Sequence, residues 1–119
     1  MNRRLLLLLL PLICSPAASA AIAPVYLECT DGEKKTFPVV LREDIGKVFW
    51  KLPLSGMTMQ QSDALFTALN VTWSSERSTI KFDLEREVGF LIATGFRKGK
   101  MVQSSLWYCS PKSSATRSF

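Results

Sequence analysis

Cys29 and Cys109 stand eighty residues apart and bracket nearly every run of residues able to build a core. A bond between them forces the first and last structural elements to be neighbours, which excludes most topologies open to a short chain. The loop it closes, about 80 residues, is worth roughly 4 to 4.5 kcal/mol in the chain-entropy account of disulfides. Such a bond requires an oxidising compartment, and the leader supplies one. Arg3 and Arg4 precede the apolar run Leu5 to Ile13, which only Pro11 interrupts, and Ala18-Ser19-Ala20 forms an A-x-A cleavage site. Cleavage after Ala20 is expected rather than at the overlapping Ala21-Ile22-Ala23, because the second cut would set the rigid ring of Pro24 directly after it. Nine apolar residues also fall short of the roughly 20 that cross a bilayer as a helix. Cys14 goes with the leader, and Pro11-Leu12-Ile13 before it lacks the small residue of a lipoprotein signal. The expected protein is secreted or periplasmic, of bacterial type, with one cysteine pair.

The division that follows is a signal peptide over 1–20, a single β domain over 21–110 and a flexible tail over 111–119, rich in Ser, Lys and Thr. Of 119 residues, 99 remain after the leader, and their thirteen Lys and Arg against ten acids leave a charge of +3. That is one small domain, too short for a multidomain enzyme and too weakly basic for a nucleic-acid binder.

Period-two alternation points to strands. Ile80, Phe82 and Leu84 share one parity and Lys81, Asp83 and Glu85 the other, the pattern of a sheet with one dry and one wet face. Val25 to Cys29, Thr36 to Arg42, Val48 to Leu52, a strand from about Asn70, Phe90 to Thr94 and Met101 to Cys109 complete the set, separated by turn signals such as Asp31-Gly32. Gln61 to Leu69 stays open between strand and a short helix capped by Ser62. The expected fold is an all-β, antiparallel small barrel or sandwich of six to eight strands, with the disulfide joining the first to the last. Trp50, Trp73, Phe82, Phe90 and Trp107 are the core candidates, as packing or as the lining of a ligand cavity.

The chain contains no histidine. This removes Ser-His and Cys-His nucleophiles and nearly every catalytic zinc site, and no cofactor motif takes their place. Ser78-Thr79-Ile80-Lys81 has S-x-x-K spacing, but on an expected strand rather than at a helix start. Asp83, Glu85 and Glu87 repeat at period two and are read as a solvated face, the alternative being a cation or acid-base site. Gly95 to Lys100 sets Phe96, Arg97, Lys98 and Lys100 in an expected hairpin tip, a solvated turn or a docking point for an anionic partner. Asn70-Val71-Thr72 matches the glycosylation pattern, a coincidence in a bacterial protein.

Leu84-Glu85-Arg86-Glu87-Val88-Gly89-Phe90-Leu91 and the ending Tyr108-Cys109 resemble a group of small secreted bacterial proteins with an I-D-R-x-[ST]-G hairpin. Glu85 and Val88 depart from that pattern. The resemblance implies a fold and a compartment, with Gly89 supplying a positive φ and Arg86 bridging acids across the hairpin. Leu54-Ser55-Gly56-Met57 is similar to the Ser-Gly segment in the inhibitory loop of periplasmic lysozyme inhibitors, which implies an inhibitor using Ser55 and Gly56. The expected function is therefore non-catalytic binding of a protein or envelope component, with lysozyme inhibition as the alternative.

Overall fold

Strands that are apolar on one face only must bury that face against each other, and in this chain they do so by closing on themselves. The computed structural model describes residues 22–112. Residues 1–21, with the expected leader and Cys14, and residues 113–119 lie outside the described residues. Eight strands follow in order: β1 (Val25–Thr30), β2 (Thr36–Arg42), β3 (Lys47–Trp50), β4 (Gln60–Phe66), β5 (Asn70–Ser74), β6 (Ile80–Glu85), β7 (Phe90–Arg97) and β8 (Lys100–Pro111). Each pairs antiparallel with the next, and β1 returns to β8 to close the barrel. Closure decides between barrel and sandwich, and it rests on four residue pairs, from Leu27↔Pro111 to Thr30↔Tyr108. The sheet runs one residue past the expected boundary at 110, and Lys112 still donates its backbone N–H to the Tyr26 carbonyl at 2.7 Å.

Cys29 and Cys109 sit directly opposite each other in that seam and form the disulfide, with Cα atoms 3.9 Å apart. The Cys109 N–H points the other way, donating to the Gly89 carbonyl at 2.8 Å. The cysteines therefore occupy a pair whose backbones exchange no hydrogen bond, the position where antiparallel strands approach most closely.

Aromatic side chains fill the interior. Trp50 and Trp73 both pack on Phe82, with ring centroids 4.7 and 4.9 Å apart, and Phe37 meets Trp107 edge-on at 4.7 Å. These rings are buried, and the described residues include no buried polar or charged residue. Trp50 Nε1 donates to Ser62 Oγ at 3.0 Å, whereas Trp73 Nε1 is buried without a partner.

One expectation about orientation needs correction, and one open stretch is decided. Phe90, a core candidate, is turned outward against Tyr108, its centroid 5.0 Å away. The register explains it: Leu84 faces Leu91, so even-numbered residues point inward on β6 and odd-numbered ones on β7. Leu91 and Ala93 take the core positions. The open stretch Gln61 to Leu69 is strand β4 followed by a tight turn that Thr67 and Asn70 close through one backbone and two side-chain hydrogen bonds of 2.8 to 3.1 Å. Ser62 caps no helix, since it receives the Trp50 indole. Because Phe66 faces Val71, parity switches here too, leaving Leu65 and Leu69 exposed and Ala64 and Phe66 packed on the core.

Gly89 lies against the seam with φ of +93°, and a Cβ there would fall on the Cys109 carbonyl oxygen. No rotamer change relieves a clash between backbones. Beside it, Glu85 Oε1 accepts the Val88 N–H at 2.6 Å. Arg86 ties the turn to the neighbouring loops through Thr67 O at 2.7 Å and Glu43 Oε1 at 2.9 Å.

Replacing both Cys29 and Cys109 by Ala should lower the unfolding free energy by about 4 kcal/mol, measured by urea denaturation against the oxidised protein. An unchanged midpoint contradicts the seam's role. Gly89→Ala should cost about 3 kcal/mol in the same assay, well beyond the loss of a flexible turn residue, whereas a loss below about 1 kcal/mol contradicts the predicted clash.

Candidate functional site

An up-and-down meander places alternate turns at opposite ends of the barrel. The upper end carries the turns 31–35, 51–59, 75–79 and 98–99; the lower end carries 43–46, 67–69 and 86–89 together with Val25 and Pro111. The residues read from the sequence as binding candidates, Ser55, Gly56, Phe96, Arg97, Lys98 and Lys100, all come from the β3–β4 loop and the β7–β8 hairpin. The structure thus brings them to one end.

The β7–β8 tip is shorter than the sequence pattern implies. Strand pairing continues to Arg97↔Lys100, leaving Lys98 and Gly99 as a two-residue turn with φ of 53° and 79°. Positive φ at both positions suits the type I′ geometry that matches strand twist. Arg97, Lys98 and Lys100 are exposed. Phe96 is not: it is half-buried in β7, with Lys81 Nζ 5.1 Å from its ring centroid. Its N–H donates to Thr79 O at 2.7 Å, which fixes the tip beside the β5–β6 turn.

That neighbouring turn presents Arg77 at φ of 77°, held by Ser78 N–H on Ser75 O at 2.8 Å and Ile80 N–H on Ser75 Oγ at 2.9 Å. Ser78 and Thr79 belong to this turn rather than to the strand expected for all four residues of the S-x-x-K match. In the β1–β2 turn, Asp31 Oδ1 accepts the N–H groups of Glu33 and Lys35 at 2.8 and 2.9 Å, and Lys34 stands at φ of 68°. The β3–β4 loop turns through Leu54–Met57, with Met57 N–H on Leu54 O at 3.1 Å and Gly56 at φ of 80°. Ser55 and Gly56 are exposed at its tip, while Met57 packs back on the core.

The two ends differ in charge and in pairing. Seven cations stand at the upper end, Lys34, Lys35, Lys51, Arg77, Arg97, Lys98 and Lys100, against the three acids Asp31, Glu33 and Glu76, a surplus of four. The described residues as a whole carry twelve cations and ten acids, a surplus of two. Their one ion pair at the upper end is the loose Lys35–Glu33 contact at 3.9 Å. At the lower end Arg42 makes a two-pronged contact with Asp44 at 3.0 and 2.8 Å, Arg86 binds Glu43, Lys47 binds Asp63, and Lys112 reaches Glu28 at 3.5 Å. Hydrogen bonding to Arg42 holds the Asp44 carboxyl below its ordinary range and raises the guanidinium in turn.

Concave surface is present at both ends. β1 stops at Thr30 while β8 continues to Lys100, so the upper part of the seam is unpaired. Small residues Ala93, Gly95 and Ser105 help to leave a cavity of about 460 Å³ there, under Leu52, Pro53 and Leu54. A smaller cleft of about 270 Å³ lies by Val88 and Pro111 at the lower end. Asp83 accepts from Asn70 Nδ2 at 2.6 Å and Glu85 from the Val88 N–H, so two of the three period-two acids serve local structure. Among the described residues, no group of three or more His, Cys, Asp or Glu is placed to hold a metal, and no helix is long and apolar enough to cross a membrane.

Lys34 and Arg77 belong to this end as much as the residues singled out beforehand. The signal that finds them is the meander itself: once eight consecutive strands are counted, every second turn shares an end. Comparison of the chain with protein-family models, curated proteins and solved structures finds no match.

Proposed function

We propose that this chain is an exported, non-catalytic binding domain that engages an anionic protein or envelope component through its upper end. One observation carries the reading: four separate turns gather seven cations at that end with a single loose ion pair, while the cations of the opposite end are individually matched to acids. Unmatched like charges on one rim repel each other, so their retention is explained best by a counter-charged partner. Such a field steers association and raises the on-rate by one to three orders of magnitude at low salt. The absence of histidine from the chain fits binding rather than catalysis, and the leader and the Cys29–Cys109 bond fit export to an oxidising compartment.

A second reading draws on the β3–β4 loop. The exposed Ser55-Gly56 tip sits on a preformed turn and is free to enter a cleft, as an inhibitor of lysozyme-type cell-wall hydrolases requires.

Arg97→Glu with Lys98→Glu shifts the upper end by four charges and cancels its surplus. In crosslinking within native envelope fractions, the double variant should lose the species that the unaltered protein forms, with a reduction of at least about tenfold and an unchanged circular dichroism spectrum. Identical crosslinks from both proteins sink the first reading. Undiminished cell-wall lysis by lysozyme in the presence of micromolar protein sinks the second.

A further inference from the structure

The three cations at the upper end whose backbones are left-handed stand in three different turns: Lys34 at 68°, Arg77 at 77° and Lys98 at 53°. A non-glycine residue at positive φ is strained, and glycine would relieve it in each case. Three independent turns at one end have each placed a basic side chain where glycine is favoured. Two of the three acids of the same end are arranged differently, while Glu76 stands exposed beside Arg77. Asp31 directs its carboxylate to the N–H groups of its own turn, and Glu33 reaches toward Lys35. Positive charge is therefore presented outward while part of the negative charge is folded back.

The same end also carries apolar side chains with no cover. Leu54 is 55% exposed at the start of the β3–β4 turn, and Met101 and Val102, next to Lys100, are 64% and 58% exposed. The cations are spread around the rim of a barrel on four turns rather than lining a groove, which suits a broad charged plane more than an acidic segment of a protein. Basic residues interleaved with protruding apolar ones are the chemistry of shallow contact with anionic lipid headgroups.

We propose that the upper end seats the barrel end-on against an anionic lipid surface, with Lys34, Arg77, Arg97 and Lys98 at the headgroup phosphates and Leu54 and Met101 dipping between them. This rests on the reading of that end as the anion-binding face and names its partner. Each cation near such a surface contributes about fivefold in partitioning, so a surplus of four charges acts together as a weak, salt-sensitive anchor.

The test is flotation of the purified, disulfide-intact protein with vesicles of equal parts phosphatidylglycerol and phosphatidylcholine, with pure phosphatidylcholine vesicles and soluble polyglutamate as the other arms. The expected result is binding to the anionic vesicles only among the lipids, lost at high salt and weakened by at least about tenfold in Arg97→Glu/Lys98→Glu. Leu54→Ser should weaken it severalfold without changing binding to polyglutamate. A second variant, Lys34→Gly/Arg77→Gly/Lys98→Gly, guards against misfolding: it should melt at a higher temperature than the unaltered protein and yet bind the anionic vesicles less. Equal binding to neutral vesicles, or a glycine variant that binds as well as the unaltered chain, overturns the proposal. Salt-sensitive binding to polyglutamate without vesicle binding overturns the lipid assignment and leaves the anionic-partner reading standing. Binding to neither overturns both.

Discussion

The barrel depends on a short seam. Seven of the eight strand junctions join neighbours in sequence, and each forms at the entropic expense of a short turn. The eighth, β1 to β8, brings together residues about eighty positions apart and is secured by only four residue pairs. Closing so long a loop for so few contacts is unfavourable by itself, and the covalent bond between Cys29 and Cys109 offsets that cost in the unfolded chain. Gly89 completes the arrangement from the other side, since its lack of a side chain lets the β6–β7 turn lie on the Cys109 carbonyl. The disulfide and the glycine act on one strand, β8, from its two edges. The aromatic core is enclosed only because that strand is held in place.

How much of this was legible beforehand depends on which interactions were local. Alternation marked β6, and the two cysteines predicted the join between first and last strands, because both signals are written within a strand or in the arithmetic of cysteines. The orientation of Phe90 has another origin. Parity does not carry across a turn, because the number of residues in that turn, which decides whether parity is kept or reversed, is set by geometry that composition does not show. The β4–β5 turn reverses it through Thr67 and Asn70, and the β6–β7 turn reverses it through Glu85 and Gly89. Ser62 illustrates a third case. A serine before an apolar run reads as a helix cap, yet its true partner is the Trp50 indole on an adjacent strand, a contact invisible to any local rule.

The candidate site was half legible for the same reason. Arg97, Lys98 and Lys100 are adjacent in sequence and announced themselves. Lys34 and Arg77 lie in turns of their own, and only the meander brings them to the same end. Phe96 departs from the expected tip because pairing continues to Arg97↔Lys100, which draws its ring into the strand beneath Lys81.

Segregation of the two ends is what gives the fold a direction. At the lower end the cations have partners: Arg86 spans two neighbouring loops, Arg42 grips Asp44, and Lys112 fastens the end of β8 to Glu28 on β1. Exposed ion pairs of this kind contribute little each, but Lys112–Glu28 joins β8 to β1 across the seam, where a small bias keeps the last strand seated. The upper end does the opposite. It leaves the seam unpaired above Thr30, accumulates unmatched cations, and sets three of them in strained backbone positions. All three features disfavour the isolated fold, and stability alone would select glycine at Lys34, Arg77 and Lys98. Strain and charge that collect at one end, in turns independent of each other in sequence, are therefore better explained by something that end must touch than by the requirements of folding.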